Sequence, residues 1–243
     1  MKAARIHKHG GREVLRVEDI PSPELHAGQV CIKLKTSALN HLDIWVREGI
    51  PGVPLPLIMG SDGAGEICKL GEKADKFSVG DPVIIQPLVY CDECRNCQAG
   101  NENLCEKMGI RGESTDGTNC EFIVLDEKFV ESKPDNISFA EAAAFPLVGQ
   151  TAYQMLVNRA KIQPGENVLV WGAGSGVGHM AVQIARALIH QLQPHLFPPH
   201  QRLACHPQLS RLPCFRHLPL PFHHLLPLCH LFRRLPCSQR LPG

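Results

Sequence analysis

The sequence predicts an α+β fold: a small barrel or sandwich of short strands bearing a loop lobe, then one βα unit, then a tail without regular structure. Three observations carry it. Short runs with period-two alternation, separated by turn residues, fill the first half of the chain, as half-buried strands do. Four cysteines stand close together at Cys91, Cys94, Cys97 and Cys105 in otherwise polar sequence. An apolar run, a glycine-rich turn and a helical pattern then follow one another directly between Asn167 and Leu188.

Taken in order, Val14 to Ile20 and Gln29 to Lys35 alternate apolar and polar residues, with Pro21-Ser22-Pro23 and His26-Ala27-Gly28 between them. Ala64 to Leu70, Pro82 to Gln86 and Cys120 to Leu125 are further strands, punctuated by Gly71, Gly80-Asp81 and Asp116-Gly117. Short strands at this spacing suit a barrel or sandwich. Leu42 to Glu48 reads as a short helix. Near Asn136 the pattern changes, because Ser138 and Glu141 form a capping box ahead of an alanine-rich run to Phe145. A second helix is expected from about Gly149 to Ala160. Pro164-Gly165-Glu166 turns into Asn167-Val168-Leu169-Val170-Trp171, a run suited to a buried parallel strand. His179 to Leu188 then fits a helix packing on a sheet. The expected organisation is a barrel domain over 1–135 with its lobe at 88–108, junction helices and one βα unit over 136–188, and a tail over 189–243.

The cysteines make a C-x2-C-x2-C-x7-C run. Four thiolates separated by such short turns can converge on one tetrahedral zinc at about 2.3 Å per bond. Asp92, Glu93, Arg95, Asn96, Gly100 and Asn103 are polar or turn-forming, so the lobe is held by its metal rather than by a core. Two disulfides are the competing reading. The start MKAARIHKHG has no apolar segment of a leader, which favours zinc and a cytoplasmic setting. With every position on the ion filled by protein, the metal is structural. Cys31, Cys68 and Cys120 lie in strand-like surroundings and are expected as small core residues.

Gly172-Ala173-Gly174-Ser175-Gly176-Val177-Gly178 sits between strand and helix, the context of a dinucleotide-binding turn. Glycines let the backbone approach a pyrophosphate while N–H groups at the helix start meet its charge. The literal G-x-G-x-x-G is absent, so a plain glycine-rich connection stays open. A second strand ending in the residue that reads the ribose, about 20 residues on, does not follow. Pro164 to Leu188 is shorter than the roughly 30 residues of one βαβ unit. That argues against cofactor binding, and so against activity, for the chain as written.

From Ile189 the composition breaks: Lys, Asp, Glu, Val, Tyr and Trp no longer occur, and Gly returns only as the last residue. Leu, Pro, His, Arg and Gln dominate, and their codons share the first letter C. No packing rule selects that set, whereas a GC-rich gene read out of frame does. The expectation is a frameshift near codons 187–190 and a disordered extension, which resequencing of the DNA there tests. At 243 residues the chain has room for one or two domains. A net charge of +1 gives no reason to expect a nucleic acid, and no apolar stretch is long enough to span a membrane.

From Met1 to about Leu188 the chain resembles the medium-chain dehydrogenase/reductase superfamily of zinc-containing alcohol dehydrogenases and quinone oxidoreductases. The cysteine lobe, Gly60-Ser61-Asp62-Gly63-Ala64-Gly65-Glu66, Val79-Gly80-Asp81-Pro82-Val83, Gly149-Gln150-Thr151-Ala152-Tyr153 and the glycine turn carry the resemblance. It implies a GroES-like β-barrel domain with the zinc lobe and the start of a Rossmann domain, NADPH or NADH as cofactor, and a homodimer or tetramer. The zinc alcohol dehydrogenases hold a second, catalytic zinc through a cysteine, a G-H-E motif and a junction cysteine. At those places this sequence has Asn40, Ser61 with Asp62, and Leu147, while Leu42 and Trp45 replace the proton-relay hydroxyl and histidine.

The missing ligands resemble the quinone- and enoyl-reductase side of the family, where hydride passes to a conjugated carbonyl or quinone without a metal. Asn40, His41 and Asp62 are then the catalytic candidates. Asn40 can equally be a turn-capping residue, His41 a surface residue at a helix start, and Asp62 an ordinary buried carboxylate; Asp43 reads as a helix-dipole partner. For the cofactor the resemblance implies Thr151 beside the nicotinamide and Gly174, Ser175, Gly176, Val177 and Gly178 at the pyrophosphate. Two other outcomes stay open, a non-catalytic remnant with structural zinc alone and a zinc-dependent alcohol dehydrogenase.

Overall fold

The computed structural model describes residues 1–190, which fall into two compact units, 1–147 and 148–190. The tail expected from Ile189 lies outside the described residues from position 191 on; Ile189 and His190 continue the last helix.

The first unit holds β1 (Lys2–Ile6), β2 (Leu15–Asp19), β3 (Gln29–Ala38), α1 (His41–Glu48), β4 (Leu57–Ile58), β5 (Asp62–Leu70) and β6 (Pro82–Ile85). It continues with β7 (Leu88–Val89), α2 (Arg95–Gln98), β8 (Gly109–Ile110), β9 (Phe122–Asp126), β10 (Val130–Ser132) and α3 (Phe139–Ala144). A five-stranded sheet runs in the order β10-β6-β5-β3-β9, a three-stranded sheet in the order β2-β1-β4, and β7 pairs with β8. Every pairing between these strands is antiparallel. The long β3 bonds β9 on one side and β5 on the other, with register shifts at Cys31/Ile32 and Leu34/Thr36. Such irregularities bend and twist a strand, which helps the sheet curl.

Among the described residues, two apolar clusters fill much of this unit. Val30, Ile32, Ile67, Val83, Ile85, Ile123, Leu125 and Val130 line the inner face of the large sheet. Ile6, Val14, Val46, Leu57 and Met59 pack α1 against the smaller one. The alternation expected for β2 and β3 is buried only in part: β3 buries Val30, Cys31 and Ile32 in a row, and β2 leaves Leu15 and Val17 exposed. The five strands expected in this unit form, and β1, β4, β7, β8 and β10 add to them. The Ser138–Glu141 capping box forms as expected, with Glu141 Oε2 accepting the Ser138 N–H at 2.8 Å and Ser138 Oγ accepting the Glu141 N–H at 3.2 Å.

Close backbone approach positions the turn around residues 111–119. A Cβ on Gly117 would meet the Gly60 carbonyl oxygen at 2.1 Å, and one on Gly112 would meet Gly60 N at 2.6 Å. Only glycine lets this turn lie flat on the segment that leads into Ser61 and Asp62.

At the junction, α4 (Pro146–Tyr153) begins three residues before the expected helix start and passes into a wider turn of π type over Gln154–Arg159. α5 (Gly176–His190) follows the glycine turn. The buried parallel strand expected at Asn167 to Trp171 is corrected here. The segment pairs with no strand among the described residues, and Leu169 and Trp171 are 79 % and 92 % exposed. A parallel strand needs a neighbour for its N–H and C=O groups, and no such neighbour lies among the described residues. No described helix is long and apolar enough to cross a membrane.

Candidate metal centre and polar site

The four lobe sulfurs converge. Sγ of Cys105 lies 3.5 Å from that of Cys91, Cys94 and Cys97 are 3.6 Å apart, and Cys91 and Cys97 are 3.9 Å apart. All four ligand atoms fall within 4.8 Å of one another. A tetrahedron with metal–sulfur bonds of about 2.3 Å has edges of about 3.8 Å, so the spacing fits one zinc. The seven described cysteines are free thiols, which removes the disulfide reading of the lobe. Local structure explains the convergence. Cys94 caps α2, which turns Cys97 inward, and a short 3-10 turn at Glu102–Leu104 delivers Cys105. Asn96 Nδ2 donates to the Leu104 carbonyl at 2.6 Å and ties the two pieces together.

Backbone donors face the sulfurs. The N–H of Cys91 and that of Lys107 point at Cys105 Sγ, at 3.4 and 3.3 Å, and the N–H of Cys94 points at Cys91 Sγ at 3.4 Å. The N–H groups of Cys97 and Glu106 hold the Cys94 thiol down to about 6. Oriented amide dipoles of this kind stabilise thiolate, the form a metal needs. A zinc bound here would cross-link the lobe, and with four protein ligands it would carry no substrate.

A second cluster gathers at the positions where the resemblance places the catalytic zinc. Asp62 opens β5 and is 1 % exposed. Its Oδ2 accepts from Asn40 Nδ2 at 2.9 Å and its Oδ1 accepts from the Leu147 N–H at 2.9 Å. Asn40 also caps α1, and its own N–H donates to Asp43 Oδ2 at 2.7 Å. Thr118 Oγ1 donates to the Asp62 carbonyl at 2.8 Å and pins the strand start from the glycine-packed turn. Burial pushes the Asp62 carboxyl up to about 7, against the lowering effect of Asn40 and of the Leu147 N–H, and the Asp43 charge adds to the rise.

These residues do not fit a second zinc. Both Asp62 oxygens are already engaged, and Asn40, buried Ser61 and Leu147 offer neither thiolate nor imidazole. Among the described residues, the lobe quartet is the group that brings three or more metal-ligating side chains together. Of the catalytic candidates, the structure joins Asn40 and Asp62 and leaves His41 apart. His41 is exposed and sits edge-on to Trp45, with ring centroids 4.8 Å apart. The Leu147 N–H was hidden from sequence reasoning because a backbone donor has no residue signature. Asp116-Gly117 was read as a turn, but nothing marked Thr118 as its anchor.

In the second unit, the glycine turn is a folded cradle. Gly172 has φ +76°, and a Cβ on Gly178 would meet the Gly172 carbonyl oxygen at 2.2 Å. Ser175 N donates to the Gly172 carbonyl at 2.9 Å, and Ser175 Oγ accepts from the Gly178 N–H at 3.0 Å, as a helix cap. Among the described residues, space around Gly174 is open: apart from its chain neighbours, no atom lies within 4 Å of an added Cβ. A tight turn opening a 15-residue helix suits a pyrophosphate. Thr151 lies on α4.

Residues 26–135 match the alcohol dehydrogenase GroES-like domain. An alcohol dehydrogenase of Geobacillus stearothermophilus is 38 % identical over 193 residues, which is 77 % of this chain and 56 % of that protein. A crystal structure of an NAD-dependent alcohol dehydrogenase is 46 % identical with a TM-score of 0.75, over 77 % of this chain and 55 % of that one. A crotonyl-CoA carboxylase/reductase is 30 % identical with a TM-score of 0.73, over 78 % of this chain and 47 % of that one. The curled sheet and the four-sulfur lobe therefore belong to a GroES-like domain. The chain is a member of the medium-chain dehydrogenase/reductase superfamily, and it spans about half the length of the relatives it matches.

Proposed function

We propose that this chain represents an NAD(P)H-dependent reductase of conjugated carbonyls or quinones that works without a catalytic zinc. The observation that carries the reading is the closed hydrogen-bond set of Asn40, Asp62 and the Leu147 N–H, standing where a metal would need thiolate and imidazole. In this reading the dinucleotide supplies the hydride when bound, held at Gly174, Ser175, Gly176, Val177 and Gly178 with Thr151 beside it. Asp62 holds the Asn40 carboxamide, which keeps a second amide N–H for a substrate carbonyl. His41, exposed at the start of α1, is the candidate to return a proton to the reduced acceptor. A cytoplasmic setting and a homodimer or tetramer go with this reading.

The named relatives include alcohol dehydrogenases, so the zinc-dependent alternative is tested directly. Metal analysis of the purified chain should give one zinc equivalent; two equivalents, with alcohol oxidation, would overturn the metal-free reading. A second reading, a structural-zinc domain that binds no dinucleotide, is favoured by the unpaired and exposed segment at Leu169 and Trp171. Fluorescence titration with NADPH separates the two. Micromolar binding removes the second reading, and no saturable binding removes the first for this chain.

A further inference from the structure

Cys31 and Cys68 are more than core filler. Their sulfurs are 3.1 Å apart, and Cys68 Sγ also lies 3.2 Å from the Cys31 carbonyl oxygen. The register explains the meeting. Cys31 faces Lys69 and Ile32 faces Ile67, so Cys68 is the extra residue of a bulge between β3 and β5. A bulge re-aims side chains that strict alternation would keep apart. Cys31 is buried and Cys68 half-buried, and neither belongs to the lobe quartet.

We propose that Cys31 and Cys68 form a reversible oxidation site that closes a disulfide between β3 and β5 when the chain meets hydrogen peroxide. Cys68, the more accessible sulfur, loses its proton and attacks one peroxide oxygen. The O–O bond breaks, Cys68 becomes a sulfenic acid, and water leaves. Cys31 sulfur then attacks Cys68 sulfur, the S–O bond breaks, and the departing hydroxide leaves as water with the Cys31 proton. Two thiols and one peroxide give one disulfide and two waters. Burial holds the Cys31 thiol up at about 12, which keeps it from reacting with peroxide first, and its 3.1 Å approach to Cys68 is what lets it close the bond. The sulfurs must close to about 2.0 Å. The bond would span 37 positions of sequence, so the oxidised chain should unfold at higher temperature than the reduced one.

The test treats the full-length, zinc-loaded chain with stoichiometric hydrogen peroxide, blocks remaining thiols with N-ethylmaleimide and maps peptides without reduction. The expected product joins the Cys31 and Cys68 peptides with the loss of two hydrogens, reverses with dithiothreitol, and forms before zinc is released. Cys31→Ser should leave a sulfenic acid at Cys68 that dimedone traps, and Cys68→Ser should leave Cys31 unmodified. Recovery of both cysteines as alkylated thiols after the lobe has lost its zinc would overturn the proposal. The wild-type map decides the matter even if a serine variant fails to fold.

Discussion

Asp62 is the residue where burial and function meet. Its carboxyl is pushed up to about 7 from an ordinary value of 3.8, first by burial, and the two hydrogen bonds to Asn40 and Leu147 only partly offset that. The sign follows from proton counts. Below about 3.8 the group is protonated in both folded and unfolded chains, and burial costs nothing electrostatic. As pH rises from there to about 7 the unfolded chain ionises first, and stability falls by about 1.4 kcal/mol per pH unit from this group. Asp62→Asn has no such titration. We therefore expect the wild type to lose stability relative to Asp62→Asn between pH 4 and pH 7, with the difference flat above pH 8. Urea unfolding of both proteins across that range measures it; a constant difference would assign the titration elsewhere. Asn40 and Asp62 were legible in the sequence because they stand in recognisable motifs. Their third partner was not, since a backbone N–H on α4 reaches Asp62 only once the chain has folded.

Elements differ in how much of their stability is local. The helices α1 and α3 carry their own caps, Asn40–Asp43 and Ser138–Glu141, and both were readable from a few adjacent residues. β1 was missed because Lys2-Ala3-Ala4-Arg5-Ile6 alternates weakly; it is a strand through its pairing with β2 and β4. Asn167 to Trp171 shows the opposite failure, a strand pattern whose partner is not among the described residues. The lobe depends on neither pairing nor core. Cys97→Ser should abolish retention of zinc and expose residues 88–108 to protease, while far-ultraviolet circular dichroism of the barrel changes little; zinc analysis and proteolytic mapping test this. The glycine turn yields a paired prediction. Gly178→Ala drives a methyl into the Gly172 carbonyl and should disturb the start of α5. Gly174→Ala meets nothing and should leave thermal unfolding unchanged, yet it should weaken any NADPH binding by crowding the open side of the turn. Melting curves with and without NADPH check both.

At the scale of the molecule, the barrel builds its two apolar clusters from its own stretch of chain. Both apolar clusters of the first unit draw all their fully buried members from residues 6–130, and the zinc quartet lies within the same span. Ile67 is 1 % exposed at the centre of the larger cluster, so Ile67→Ala should cost about 2–5 kcal/mol, measurable as a shift in the denaturant midpoint. The sites divide differently. Asn40 and Asp62 rest on this well-packed barrel, whereas the glycine turn follows a segment whose Leu169 and Trp171 face solvent. A chain ending at residue 160 keeps every described strand, the lobe and α4, and it removes that exposed segment. We expect it to fold, to hold one zinc and to unfold cooperatively, because the buried members of the two barrel clusters all lie before the cut. A non-cooperative transition, or loss of the metal, would mean that later residues support the barrel. The same fragment should show no response to NADPH, since it lacks the turn that would hold a pyrophosphate. The zinc and the cofactor would then be assigned to separate stretches of chain.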